Sequence, residues 1–118
     1  MYKRQGKTRG TVAITENEVC TNQSLAGIIT DSTVDSEYLF YYLETQYENL
    51  RILSSGDGTR GGLNLHLINE YLVPVPCLEM QKSIASVGTF LDCYIDSNGN
   101  LLSQLHHLKA ALMQKLFI

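Results

Sequence analysis

Few of the usual signatures of chemistry occur in this 118-residue chain. Its three cysteines, Cys20, Cys77 and Cys93, are odd in number and widely separated, with no paired spacing of the zinc-binding kind; they read as reduced packing residues. No apolar run approaches the length of a membrane span, and Met1-Tyr2-Lys3-Arg4 is not followed by the apolar core of a signal peptide, so a cytoplasmic protein with no membrane partner is expected. A formal charge of -3 gives no overall attraction to nucleic acid. His66, His106 and His107 share no metal-ligand spacing with one another or with the cysteines, and no serine or cysteine sits in a nucleophile elbow. Asp92 and Asp96, one helical turn apart, read as a solvated face. No catalytic residue, metal or cofactor is expected.

One loop deserves a separate test, because Gly56, Gly58 and Gly61 carry the spacing of a dinucleotide-binding fingerprint. A phosphate-cradling turn follows a buried strand and opens directly into a helix, so that amide groups and the helix N-terminus point at the anion. Here a helix precedes the loop and only a short turn follows. The loop is too rich in glycine to hold regular structure, and the lack of side chains would let Arg60 at its tip approach a phosphate backbone closely.

What the chain does have is a long amphipathic tail. Between Glu79 and Ile118, Ile84, Leu91, Leu105 and Leu112 share one heptad position, and Val87, Tyr94, Leu101 and Leu108 fall three residues later; Asn98 fills the remaining slot of the first series. One helix over this segment would run to roughly 60 Å, longer than a small domain is wide. Such a seam needs a partner, and the spacing is that of two helices that supercoil. A buried Asn98 would then favour one register. Asn98-Gly99-Asn100 also contains turn-forming residues, so a hairpin of two shorter helices is the alternative; against it, the phase of the apolar series survives across the break.

The preceding residues read as a compact mixed unit. Thr11 to Thr15 and Ser24 to Thr30 carry strand patterns, separated by the polar stretch from Glu16 to Asn22. Asp35 is placed to cap a helix from Ser36 to about Gly56, in which Tyr38, Leu39, Tyr42, Leu43, Tyr47, Leu50 and Leu53 keep helical spacing. A helical turn at Leu65 to Asn69 and a strand at Tyr71 to Val75 follow, until Pro74 and Pro76 end pairing and the long helix begins at Leu78 or Glu79. The expected class is α+β: a small sheet-and-helix unit over residues 1–77, then a coiled-coil-forming helix over 78–118. Charge is uneven along it. Four of the nine lysines and arginines, Lys3, Arg4, Lys7 and Arg9, fall in the first ten positions with no acid among them, a local basic patch or simply a solvated terminal segment.

These residues together resemble a known family. The run Leu72-Val73-Pro74-Val75-Pro76-Cys77-Leu78-Glu79-Met80-Gln81-Lys82-Ser83-Ile84-Ala85, then Phe90-Leu91-Asp92, Ile95, Leu105, Leu108-Lys109, Leu112-Met113-Gln114 and Leu116-Phe117, is similar to the specificity subunit of type I restriction-modification systems. The Gly10-Thr11-Val12-Ala13-Ile14 and Asn22-Gln23-Ser24-Leu25 segments agree in type and order. So do the helix with Tyr38-Leu39 and Tyr42-Leu43 and the Gly56 to Leu65 loop. The similarity spans nearly the whole chain. It implies a DNA-reading component without catalysis of its own. In the family, two recognition domains each read half of a split target, and two conserved helices pack antiparallel between them as a ruler. Methyltransferase subunits dock on that helical region and bring the S-adenosylmethionine chemistry, while restriction subunits bring ATP-driven translocation and cleavage.

This chain carries one such helix, after residues matching the second part of one recognition domain; the pattern of the family places a first part, with its own strands, ahead of them. On this resemblance Lys3, Arg4, Lys7, Arg9 and Arg60 are expected to meet phosphates of double-stranded DNA, with Gln23 and Thr59 as further polar contacts. Ile84, Val87, Leu91, Tyr94, Asn98, Leu101, Leu105, Leu108 and Leu112 are expected to form a helix–helix interface, most simply a homodimer. The alternative is a protein-interaction module that binds partner helices and does not bind DNA independently.

Overall fold

In the computed structural model, which describes residues 2–3, 10–15, 17–21, 25–55 and 65–117 (backbone only at 2, 3, 54 and 55), the helical part begins where the sequence supplies a cap. Asp35 holds an extended conformation and its carboxylate accepts a hydrogen bond from Tyr38 N at 2.9 Å, which satisfies one of the donors left open at a helix start. Helix α1 runs Ser36–Thr45 and α2 runs Tyr47–Ser55. The single helix expected from Ser36 to Gly56 is therefore broken at Gln46. Side chains account for the break. Thr45 Oγ1 donates to Tyr42 O at 2.7 Å, Gln46 N bonds back to Leu43 O at 3.1 Å, and Gln46 Oε1 accepts from Asn49 Nδ2 and Tyr71 Oη at 2.8 and 2.9 Å. Bonds made three residues back tighten the last turn of α1, and the apolar phase carries on beyond it, so periodicity alone does not reveal the interruption.

Sheet content is smaller than expected. Strands β1 (Tyr2–Lys3) and β2 (Leu25–Ala26) pair antiparallel, Tyr2 opposite Ala26 and Lys3 opposite Leu25. The strand expected at Thr11 to Thr15 is reduced to a single bridge at Val12, and the described part of Ser24 to Thr30 is strand only in β2. Residues 71–77 form no strand at all. There the carbonyls a neighbouring strand would use are taken by side chains, Pro74 O by Tyr38 Oη at 2.7 Å and Pro76 O by Gln81 Nε2 at 2.8 Å. The prolines themselves have no N–H to give. Helix α3, Leu65–Asn69, is the short turn expected there. Most of the described residues are thus helical, around a small core of Ala26, Leu43 and Leu50. Val12, Leu39, Tyr42, Leu67, Ile68 and Tyr71 pack against this core.

Helix α4 spans Leu78–Leu116, 39 residues without interruption. It opens with Gln81 N bonded to Cys77 O at 3.0 Å, directly after Pro76. The hairpin alternative at Asn98-Gly99-Asn100 does not occur. Asn98 Nδ2 donates to Tyr94 O at 2.8 Å and Ser97 Oγ to Cys93 O at 2.8 Å, so both polar side chains fold back on the helix's own carbonyls instead of supporting a turn. The chain divides into two compact units, Met1–Ala85 and Ser86–Ile118. Within the first, α4 places Gln81 (0% exposed) and Ala85 (2% exposed) in the interior. The second has no core of its own, since every residue from Thr89 to Phe117 is exposed.

Candidate helix interface and nucleic-acid contacts

A helix advances about 100° per residue, which brings Ile84, Val87, Leu91, Tyr94, Asn98, Leu101, Leu105, Leu108 and Leu112 into an arc of about 120° on one side of α4. The apolar members are 44% to 63% exposed. Ile95, Leu102 and Met113 widen one edge of the arc and are exposed as well. The stripe is therefore broader than a narrow two-position seam. Lys82, Asp92, Asp96, Ser103 and His107 lie on the other side, whereas Ser83 and Lys109 fall within the arc.

Within the first unit, the side of α4 turned to the interior carries Gln81 and Ala85. In the same turns Met80 and Ile84 remain exposed. Gln81 Oε1 accepts from Asp35 N at 2.8 Å, while its amide nitrogen donates to Thr33 O at 3.0 Å and Pro76 O at 2.8 Å. The pairing fixes the amide orientation, because two carbonyls require the donor end and a backbone N–H requires the oxygen. Asp31 shapes the loop that supplies Thr33, accepting from Thr33 Oγ1 at 2.6 Å and Thr33 N at 2.8 Å; these bonds hold its carboxyl below the ordinary value. Sequence reading missed Gln81. Its one visible mark was a position off the stripe, beside Ala85.

Among the described residues no group of three or more histidine, cysteine, aspartate and glutamate side chains converges on a possible metal position. No helix among them is long and apolar enough to cross a membrane. The three cysteines are free and exposed, so the reading of them as packing residues is corrected: each lies in surface loop or helix rather than in the core. His66 makes a surface contact to Glu70 at 3.4 Å, and burial raises the Tyr71 hydroxyl above its ordinary value, with Tyr42 adding to the effect.

For the expected DNA contacts, Lys3 lies in β1, its backbone paired with Leu25. Arg4, Lys7, Arg9, Gln23, Thr59 and Arg60 lie outside the described residues. All nine residues of the expected helix interface are described, and α4 brings them together on one face.

Comparison with known proteins gives a match over residues 3–107 to the family described as type I restriction modification DNA specificity domain. The chain is also 33% identical, over 111 residues, to the type I restriction enzyme MjaIX specificity subunit of Methanocaldococcus jannaschii. That alignment covers 92% of this chain and 26% of the relative, so the chain spans about a quarter of the relative's length. No solved structure matches.

Proposed function

The chain belongs to the type I restriction modification DNA specificity domain family, and from that membership we propose that it is a non-catalytic DNA-recognition component whose long helix joins it to partners. The observation that carries this reading is the exposed stripe on α4, which continues from Ile84 to Leu112. Covering that stripe supplies a driving force for association. In this reading residues 1–77 act as part of an α+β recognition domain, and residues 78–118 act as spacer and coiled-coil docking strut.

A second copy of the chain is the first partner. In an antiparallel pair, Ile84 packs with Leu108 of the second copy, Val87 with Leu105, Leu91 with Leu101, and Asn98 with Tyr94, whose hydroxyl gives the amide a hydrogen-bonding mate. A parallel pair would instead set Lys115 against Lys115. Antiparallel pairing gives two-fold symmetry and presents equivalent globules to a symmetric target. The edge formed by Ile95, Leu102 and Met113 is left over by such a pair and accepts helices of methyltransferase subunits. Those subunits supply the S-adenosylmethionine chemistry, and restriction subunits supply cleavage.

On double-stranded DNA, Lys3, Arg4, Lys7, Arg9 and Arg60 neutralise phosphates while Gln23 and Thr59 make polar contacts. The test is a DNA-shift titration across salt concentrations, with and without methyltransferase subunits. Affinity is expected to fall steeply with salt, and replacing one phosphate-contacting arginine or lysine by alanine should reduce the log–log slope by about one. Salt-independent binding would refute the contact assignment. Capture of methyltransferase subunits with no DNA binding in either condition would leave only the helix-docking role.

A further inference from the structure

The first turns of α4 contain an energetic oddity. Met80 is 54% exposed and Ile84 44% exposed, yet the residue between them that is fully withdrawn from water is a glutamine. Hydrophobicity alone would roll the helix and press Met80 and Ile84 onto the globule. A buried polar side chain opposes that roll, because its partners are available at one rotation only and leaving them unpaired is costly.

The partners are unusual in kind. In a capping box, the residue at the third helical position reaches back to the N–H of the capping residue. For α1 that position is Tyr38, but Tyr38 sends its hydroxyl to Pro74 O at 2.7 Å. The N–H of Asp35 is met instead by Gln81 Oε1 at 2.8 Å, from another helix and 46 residues away. Gln81 Nε2 meanwhile holds Thr33 O and Pro76 O. One side chain thus completes the cap of α1, ties the loop before α1, and ties the segment that leads into α4.

We propose that Gln81 is a positioning residue that sets which side of the first turns of α4 is buried, and so keeps Met80 and Ile84, at the start of the apolar stripe, open to a partner helix. Burying a satisfied polar group fixes a register that apolar packing alone would leave open, the role a buried asparagine has in a coiled-coil seam. Gln81 lies outside the stripe, so its effect on association passes entirely through the seating of the helix. The consequence for partners rests on the reading of the stripe as an interface.

The experiment uses the full chain at concentrations too low for self-association, so that only its own globule can shield Met80. Oxidation of Met80 by peroxide is read by mass spectrometry against Met113, which lies on α4 at 43% exposure. Gln81→Glu places a carboxylate against two carbonyl oxygens and should turn the helix, lowering the Met80-to-Met113 oxidation ratio by at least about threefold, since side-chain access to solvent sets the rate. Gln81→Leu, without either charge or donors, should lower it less. An unchanged ratio in variants that keep wild-type circular dichroism would overturn the proposal. In the unaltered chain, the Asp35 amide should exchange hydrogen at least about tenfold more slowly than the amides of exposed loop residues; free exchange would overturn the proposal even if neither variant folds. At higher concentration, Gln81→Glu should weaken self-association although every seam residue is intact, which a role confined to globule stability would not do. A wild-type chain that stays monomeric would sink the interface reading, while oxidation and exchange would still decide the role of Gln81.

Discussion

Replacing Leu91 and Leu105 by alanine together probes the stripe where it is least interrupted. The two side chains are 50% and 52% exposed in the single chain. Full burial of a leucine is worth about 1.5–3 kcal/mol, so covering the exposed half of each contributes about 1 kcal/mol. A homodimer contains both residues twice, and the double variant therefore forfeits about 4 kcal/mol, which weakens association on the order of a thousandfold. Neither residue is in the globule's core, so the loss should appear in the dissociation constant and not in the folding of the first unit. Sedimentation equilibrium over a concentration series measures the constant, and circular dichroism checks that α4 keeps its helix content. Asn100→Ala and His107→Ala, on the opposite side of the helix, serve as controls and should change the constant little. A loss of less than about tenfold in the double variant, or an equal loss in the controls, would show that the stripe is not what binds.

Two predictions concern the globule. Leu50 is 3% exposed and packs with Ala26 and Leu43, so Leu50→Ala should cost about 2–5 kcal/mol in thermal or urea unfolding; a loss under about 1 kcal/mol would place the core elsewhere. Gly10 has φ of +95°, and a Cβ there would stand 3.1 Å from Tyr47 Cδ2 and 3.5 Å from Tyr47 O. Gly10→Ala should therefore destabilise by about 1–2 kcal/mol through backbone strain alone, with crowding added, whereas a gain in stability by the same assay would contradict the left-handed conformation.

The long helix was legible because its signal is redundant. Nine positions repeat the same spacing, and one turn-prone triplet cannot outweigh them once Asn98 and Ser97 find carbonyls within the helix. The cap at Asp35 was legible for the opposite reason, being a local rule carried by one residue. Strand extent was not. Whether Tyr71 to Val75 pairs depends on what claims the carbonyls of Pro74 and Pro76: Tyr38 reaches Pro74 from 36 residues away, and Gln81, five residues from Pro76, is itself held by partners 46 and 48 residues away. The break at Gln46 was hidden similarly, by side-chain bonds that leave the apolar period untouched. Gln81 was invisible because its burial is decided by partners 46 and 48 residues away, and a glutamine on a helix reads as solvated until those partners are placed. The basic cluster falls largely outside the described residues, so its role rests on charge and family membership rather than on geometry.

The mass of the unaltered chain in solution tests the central claim most directly. Sedimentation velocity across a wide concentration range should show monomers giving way to a species of twice the 13.2 kDa chain mass as concentration rises. A monomer at every concentration, with the helix content of α4 intact, would mean that no second copy covers the leucine stripe.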